Sequence, residues 1–196
     1  MPRTAAQNEA IRDKRKDKII NKTLKLLATK GFDSITIDDI SKASNCAHGL
    51  FYHYFDVKED LYNSTVTQFE IKYANKLLNY DGLMNTNGLD GLKMVIDFYD
   101  KIIDENDLLV CFSRLYLNKS YQCKTAIKQL NGLDLYKILP TIIKKGQDEG
   151  SVKNGNPEDL SRLLISILLT ETELRLTMKD GFKPLDPAFI LEQFKA

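Results

Sequence analysis

Residues 36–55 read TIDDISKASNCAHGLFYHYF, a stretch in which apolar side chains recur at helical spacing on both sides of a central polar break. Thr36 is followed three residues later by Asp39, the arrangement of a capping box, which predicts that a short helix begins here. Asn45 tolerates the left-handed backbone of a tight turn, so we predict that this helix ends there. A second short helix is predicted to begin near Ala47.

The flanking segments complete a recognisable unit. A longer helix is predicted to run to about Lys30, with Gly31 at its C-cap, and Asp56 is predicted to cap the helix that follows. Two helices of roughly seven to nine residues, joined by a tight turn and preceded by a packing helix, describe a helix-turn-helix. In such a unit the second helix can enter the major groove of DNA while the first braces it.

The rest of the chain also favours helices, since three- and four-residue apolar spacings recur and alternating strand patterns are scarce. We therefore predict an all-α fold. The segment Asn79 to Gly91, rich in Asn and Gly, is predicted to be a loop, and a kink or restart is predicted near Pro140. Further helices are predicted over about residues 56–80, 91–104, 106–119, 121–130, 133–149, 157–179 and 186–194.

Composition excludes several classes of protein. The 196 residues include 43% hydrophobic and 28% charged side chains, as in an ordinary globular protein. The three cysteines, Cys46, Cys111 and Cys123, are widely spaced and form no CxxC pair, so neither disulfides nor a metal site is indicated. No apolar stretch has the length of a membrane span or the pattern of a signal peptide. We expect a cytoplasmic protein without a cofactor or a membrane partner.

Charge is balanced over the whole chain, at +1, but it is unevenly distributed. Residues 1–30 hold nine basic and three acidic side chains, whereas residues 1–62 together have an excess of only two basic groups. The N-terminal cluster could lie along DNA phosphates or in the minor groove, or it could be a solvated helix face. The cluster comprises Arg12, Lys14, Arg15 and Lys16.

The motif also carries a family resemblance. The run DISKASNCAHGLFYHYF over residues 39–55, followed by KEDL over residues 58–61, resembles the TetR family of bacterial repressors. The resemblance covers roughly residues 16–61. Asn45, Cys46 and Ala47 stand where the family usually has a Gly, a small aliphatic residue and a Ser or Thr. Ala47 thereby lacks a side-chain cap, a loss that typically costs about 1 kcal/mol unless Asn45 or a phosphate compensates.

The resemblance implies which residues bind DNA. It assigns phosphate or base contacts to Tyr52 and His53, and a phosphate contact as well as a capping role to Thr36. The complete predicted set is Thr36, Ala47, His48, Gly49, Leu50, Tyr52, His53 and Lys58.

Each of these side chains also has a simpler interpretation. His48 could donate to a base edge or a phosphate, or be merely exposed. Gly49 could let the backbone approach the duplex, or could avoid a clash between the two short helices. Leu50, if exposed, could meet a thymine methyl group, and a buried Leu50 would exclude that role. Tyr52 and His53 could be plain surface aromatic residues.

Lys58 is notable because a cation in the first turn of a helix opposes the helix dipole. A phosphate would reverse that effect, so we predict that Lys58 and the helix terminus hold one phosphate; the alternative is a solvated lysine. Phe51 and Phe55 are assigned to the core. Tyr54 is ambiguous between a core ring and a phosphate donor, with core the favoured interpretation.

The second part of the chain is predicted to bind a partner copy and a small molecule. The chain is divided into a DNA-binding domain over residues 1–62 and a helical effector-binding and dimerisation domain over residues 63–196. The helix after Pro157 and the closing helix over residues 186–194 are predicted to pair across a two-fold axis as a four-helix bundle. The alternative is that the broad apolar face of the first helix, which includes Leu163, packs internally. The predicted interface residues are Leu160, Leu164, Ile167, Leu168 and Leu174.

The resemblance also implies an effector pocket. Aromatic residues of the middle helices are its predicted lining, although the same pattern is common in an ordinary core: Tyr73, Phe98, Tyr99, Phe112 and Tyr116.

Together these features predict a ligand-responsive regulator, most simply a repressor that binds a palindromic operator as a homodimer and is released by a small-molecule effector. The alternatives are an activator or a helical interaction module of the same fold. The only histidines, His48 and His53, lie in the helix-turn-helix and have no catalytic partner at suitable spacing, so an enzyme is not expected.

Overall fold

The computed structural model describes residues 4–69, 80–105, 107–117, 135–178 and 181–196. These residues form α-helices, and their only extended pairing is an isolated antiparallel bridge between Val152 and Lys195. The all-α prediction is confirmed. The helices are α1 (Ala5–Lys30), α2 (Ile37–Ser44), α3 (His48–Tyr54), α4 (Lys58–Phe69), α5 (Tyr80–Asn85), α6 (Gly88–Glu105), α7 (Asp107–Leu117), α8 (Leu135–Asp148), α9 (Pro157–Met178) and α10 (Pro187–Glu192).

Local sequence signals set the helix ends of the N-terminal part. The backbone N–H of Asp39 donates to Thr36 Oγ1 at 3.1 Å, and the Asp39 carboxylate accepts the Thr36 N–H at 3.0 Å, which completes the predicted capping box. Asn45 follows α2 with φ 51°, the predicted left-handed conformation. Gly31 ends α1 with φ 77°, a conformation that favours glycine.

Two segments differ from the predictions. The predicted loop over residues 79–91 is wrong for most of its length, because α5 occupies part of it and α6 begins at Gly88. The predicted restart near Pro140 is also wrong, since α8 continues through this residue. The predicted helix over residues 121–130, and the part of the predicted 56–80 helix beyond Phe69, lie outside the described residues.

Long-range contacts explain the additional helix. Lys145 Nζ, on α8, donates to the carbonyls of Met84 and Thr86 at the C-terminal end of α5, the former at 3.1 Å. Glu149 Oε2 accepts the Gly88 N–H at 2.8 Å at the start of α6. These charged groups satisfy helix-end donors and acceptors that the local sequence leaves unpaired, so α5 and α6 are stabilised by α8.

The N-terminal helices share a core with a helix from the second half of the chain. This core buries the apolar faces of α1 to α4 and includes Cys111 and Leu115 of α7. α1 therefore packs directly on α7 as well as on α2 and α4. Its remaining members are Ile19, Ile20, Leu24, Leu27, Ala28, Phe32, Ile35, Ile40, Phe51, Phe55, Leu61 and Tyr62.

A second core lies among α5, α6, α8, α9 and α10. It buries Leu160, Leu164 and Leu168 of α9, three residues predicted to form a dimer interface. That prediction is wrong for these three, because they fill the interior of the protomer itself. No helix among the described residues is long and apolar enough to span a bilayer.

Candidate DNA-binding surface

α3 presents one face to the core and the other to solvent. Phe51 is fully buried and Phe55, directly after the helix, is 3% exposed, so both are core residues as predicted. Tyr52 is 51% exposed, and His48 and His53 are also exposed. The two buried rings fix the orientation of α3, while three side chains with hydrogen-bonding groups project from its outer face.

The turn between α2 and α3 is held by its own backbone. The Asn45 N–H donates to Lys42 O at 3.1 Å, and the Cys46 N–H donates to Ser41 O at 3.0 Å. Ala47 is the N-cap of α3 with φ −68° and ψ 145°, and no side-chain hydrogen bond caps the helix. The first N–H groups of α3 thus have no side-chain acceptor, and the Leu50 N–H donates to Ala47 O at 2.8 Å.

Gly49 lies on the outer side of α3, and a Cβ atom placed on it would have no neighbour within 4 Å. A glycine that avoids a clash between α2 and α3 would show a close neighbour at this point. The structure therefore removes that alternative, and close approach of the duplex at Gly49 stays a prediction.

The other residues of α3 take intermediate positions. Leu50 is half-buried, so its predicted contact with a thymine methyl group is not excluded by burial. Tyr54 is half-buried against the N-terminal core, and Arg12 Cζ lies 6.0 Å from the centre of its ring. His48 Nε2 lies 3.3 Å from Asp38 Oδ1 of α2, and its ring centroid is 5.4 Å from that of Tyr52.

Thr36 is exposed at the start of α2, and its hydroxyl donates to Asp39 Oδ2 at 2.8 Å. Hydrogen bonds from the Thr36 backbone and side chain hold the pKa of Asp39 below its ordinary value of 3.8, and Lys30 Nζ, 3.7 Å from Asp39 Oδ1, acts in the same direction. Thr36 therefore caps α2 as predicted, and its exposure leaves room for the predicted phosphate contact.

Lys58 has a role that neither sequence interpretation anticipated. Its Nζ donates to Phe32 O at 2.8 Å and to Ile35 O at 2.9 Å, and it lies 4.3 Å from the centre of the Phe32 ring. The ammonium group thus closes the connection between α1 and α2 from within the protomer. This geometry contradicts the solvated lysine, because two of its three donors are already occupied. The phosphate contact of Lys58 stays a prediction.

Comparison with known proteins agrees with this geometry. Residues 19–65, from within α1 to within α4, match the family described as bacterial regulatory proteins, tetR family. The biofilm operon icaADBC HTH-type negative transcriptional regulator IcaR of Staphylococcus aureus is 28% identical over 155 residues, which are 78% of this chain and 80% of that protein. IcaR of Staphylococcus epidermidis is 37% identical over 75 residues, covering 38% and 40% of the two chains.

Solved structures extend the likeness to the whole fold. HlyIIR, a hemolysin II transcriptional regulator, aligns with a TM-score of 0.71 and 18% identity over 94% of this chain and 99% of that chain. A TetR-family regulator from Agrobacterium tumefaciens aligns with a TM-score of 0.64 and 18% identity, covering 94% and 100%. Residues 19–65 therefore form a domain that matches the TetR family, and the chain shares its fold with solved TetR-family regulators. As in those solved structures, an N-terminal helix-turn-helix is followed by a helical C-terminal part.

The predicted pocket residues have different positions in the structure. Tyr99 is buried in the C-terminal core, and Phe98 is half-buried against that core. Tyr73 lies outside the described residues, as do the side chains of Phe112 and Tyr116 on α7. No group of three or more potential metal ligands comes together in the described part of the chain.

The exposed apolar surface of α9 differs from the predicted one. Leu163 is 43% exposed, Leu174 37% and Met178 52%, while Ile167 is half-buried. At 100° per residue these four side chains fall within roughly 60° of one another. We call them the α9 stripe. Phe189 of α10, 58% exposed, is a further exposed apolar residue. The predicted set of interface residues left out Leu163, Met178 and Phe189, because spacing does not show that the core occupies the centre of the broad apolar face.

Proposed function

We propose that this protein is a ligand-responsive repressor that binds a palindromic operator as a homodimer and is released by a small-molecule effector. The observation that carries the proposal is the outer face of α3, where His48, Tyr52 and His53 are exposed beside the open space at Gly49. The similarity of the chain to IcaR, a negative transcriptional regulator, supports repression as the direction of control. A cytoplasmic location follows from this role, and no catalytic activity is part of it.

α3 has the position and chemistry of a recognition helix. Imidazole and phenol groups can donate or accept hydrogen bonds at base edges and phosphates, and a helix without a Cβ at Gly49 can approach the duplex closely. The backbone turn and the buried rings of Phe51 and Phe55 hold these groups in place before DNA binds. The domains that we propose are residues 1–62 for DNA and residues 63–196 for effector and partner.

The α9 stripe is the proposed contact with a second copy. Its side chains are aligned and exposed, and isolated apolar residues on a surface rarely line up in this way over four turns of a helix. The proposed interface keeps Ile167 and Leu174 from the predicted interface and adds Leu163 and Met178. The buried Leu160, Leu164 and Leu168 are no longer part of it. Pairing of α9 and α10 across a two-fold axis forms a four-helix bundle that spaces two copies of α3 by about 34 Å.

The contact between α1 and α7 supports effector control. Cys111 and Leu115 of α7 are buried in the N-terminal core, so a movement of α7 displaces α1 and the helix-turn-helix with it. An effector that binds the C-terminal part more tightly in the displaced form shifts the population towards that form and lowers operator affinity. The proposed pocket is the one predicted from the sequence, with Tyr73, Phe98, Tyr99, Phe112 and Tyr116 as its lining.

Operator binding is tested by selecting duplexes from a random DNA library with the purified protein and measuring affinity by fluorescence anisotropy. Replacing Tyr52 and His53 with Ala should abolish sequence-selective binding while leaving weak nonspecific binding. Thr141→Ala with Asn154→Ala, two exposed polar residues outside the helix-turn-helix, is the matched control and should bind as the wild type does. Selection of no preferred sequence by the wild type would overturn the proposal.

The dimer is tested by sedimentation. Leu163→Glu places a charge in the α9 stripe and should convert the dimer to monomer at micromolar concentration. Met94→Glu, on α6, is the control because Met94 is 37% exposed, close to the 43% of Leu163, and lies off the stripe. Equal sedimentation of the wild type and the Leu163→Glu variant would contradict the interface.

A further inference from the structure

The helix-turn-helix has an unfavourable charge for binding DNA. Residues 31–62 contain two basic and six acidic side chains, a net charge of −4. Of the two cations, Lys58 is held by carbonyl groups inside the protomer. Phosphate neutralisation supplies a large share of the affinity of most DNA-binding proteins, so the proposed operator contact needs cations from another element. The acidic side chains are Asp33, Asp38, Asp39, Asp56, Glu59 and Asp60.

α1 provides such cations on its solvent side. Five basic side chains are all exposed, and at 100° per residue they fall within roughly 100° of one another. The three acidic residues of α1, at positions 9, 13 and 17, project from the other side of the helix. Among the described residues none of the five basic groups forms an ion pair. We call this set the α1 stripe: Lys14, Arg15, Lys18, Lys22 and Lys25.

The N-terminal half of α1 lies next to the end of the recognition helix. Arg12 Cζ is 6.0 Å from the ring centre of Tyr54, and Lys16 Nζ is 5.7 Å from that of Phe55. The first buried residue of α1 is Ile19, so the turns before it form an extension along the edge of the core, where Arg12 and Lys16 approach the rings of Tyr54 and Phe55. The match to the family begins at residue 19, so this extension lies outside it.

We propose that the α1 stripe binds the phosphate backbone of duplex DNA flanking each operator half-site. The inference rests on the proposed function and identifies a second DNA-binding surface of the same protein. From Lys14 to Lys25 the stripe is about 16 Å long at 1.5 Å per residue, which matches the backbone of about five base pairs. Flexible lysine and arginine side chains on one helix face suit phosphates, which carry no sequence information, rather than base edges.

The experiment compares two variants on two duplexes. One variant replaces all five residues of the α1 stripe with Gln, whose helix propensity is close to that of Lys and Arg. The control replaces five exposed lysines of the C-terminal part with Gln, which gives the same net charge: Lys93, Lys101, Lys137, Lys144 and Lys183. Each is titrated at several salt concentrations on the selected operator alone and on the operator with ten added base pairs at each end, and circular dichroism checks the fold.

The stripe variant should lose most of the affinity that flanking DNA adds. If all five side chains contact phosphates, the slope of log K against log salt falls by up to roughly 4.5 on the long duplex, and affinity at 0.15 M salt falls by far more than tenfold. The control variant should keep the wild-type slope. On the short duplex the two variants should differ little, because the flanking phosphates are absent.

Three results would overturn the inference. Equal salt slopes for the two variants on the long duplex would show that the stripe does not touch DNA, while the operator binding of the wild type would leave the proposed function standing. Unchanged DNA binding by the stripe variant with lost binding to phosphatidylserine vesicles would assign the stripe to a membrane. A wild-type protein that selects no duplex would remove both the proposed function and this inference.

Discussion

Replacing Gly49 with alanine should make the protein more stable and bind DNA less tightly. The added Cβ has no neighbour within 4 Å in the protomer, and Gly49 lies in the first turn of α3. Alanine loses less backbone entropy than glycine on entering a helix, so the free energy of unfolding should rise by about 0.5–1 kcal/mol. On the proposed recognition helix the same methyl group would occupy space that the duplex needs. Overpacking of this kind costs about 1–3 kcal/mol, or roughly 5- to 150-fold in Kd.

The two effects are measured separately. Urea unfolding followed by circular dichroism gives stability, at one fixed protein concentration because a dimer unfolds in a concentration-dependent way. Fluorescence anisotropy on the selected operator gives Kd. Gly181→Ala is the control, since its added Cβ also meets nothing within 4 Å and the residue lies in the C-terminal part. It should leave Kd unchanged.

Opposite signs for stability and affinity are the critical outcome, because a merely structural glycine cannot produce them. A stabilised Gly49→Ala variant with wild-type Kd would show that the outer face of α3 is not in close contact with DNA. A destabilised variant would show that the space beside Gly49 is filled in solution, and the argument for a recognition helix would lose its main support.

Further substitutions test individual contacts. Lys58→Met should lower the free energy of unfolding by about 2 kcal/mol in urea titrations, because two carbonyls lose a charged donor, and a DNA salt slope reduced by about one would instead indicate a phosphate clamp. Ala47→Ser should raise the free energy of unfolding in urea titrations by about 1 kcal/mol, because the serine hydroxyl caps α3. No change would mean that another group already accepts hydrogen bonds from the first N–H groups of α3. Gly88→Ala should be strongly destabilising, since its Cβ would lie 2.3 Å from the backbone of Gly146, and near-wild-type melting would contradict that packing. Asp39→Asn should be less stable than the wild type at pH 7, and the difference in the free energy of unfolding should shrink in acid titrations below about pH 3.8. The reason is that folding lowers the pKa of the Asp39 carboxyl, so its stabilisation is lost as pH falls through the folded pKa. A difference that does not change with pH would contradict this.

Local signals made the helix-turn-helix predictable. The capping box at Thr36, the left-handed Asn45 and the C-terminal Gly31 each follow from the conformational preference of one or two residues. The burial of Phe51 and Phe55 follows from helical spacing. Such signals depend on neighbours in sequence, so they survive without knowledge of the tertiary structure.

Long-range contacts explain what the sequence could not predict. α5 forms in a segment rich in Asn and Gly because Lys145 of α8 satisfies its last carbonyls. Lys58 was interpreted from the helix dipole alone, whereas its partners are 23 and 26 residues away in sequence. The predicted interface failed at Leu160 and its neighbours because spacing identifies an apolar face but not which part of that face the protomer covers.

The position of α7 changes how an effector signal is expected to reach DNA. The predicted helix over residues 56–80 joins the two parts of the chain, so from the sequence alone it is the simplest connection for such a signal. In the structure α7 contacts both sides: Cys111 and Leu115 lie in the N-terminal core, and Arg114, 8% exposed, pairs with Glu173 of α9 at 2.7 Å. Glu173 belongs to the helix that carries the proposed dimer contact. A shift of α7 therefore changes α1 and α9 together, which is what altered spacing of two recognition helices in a dimer requires.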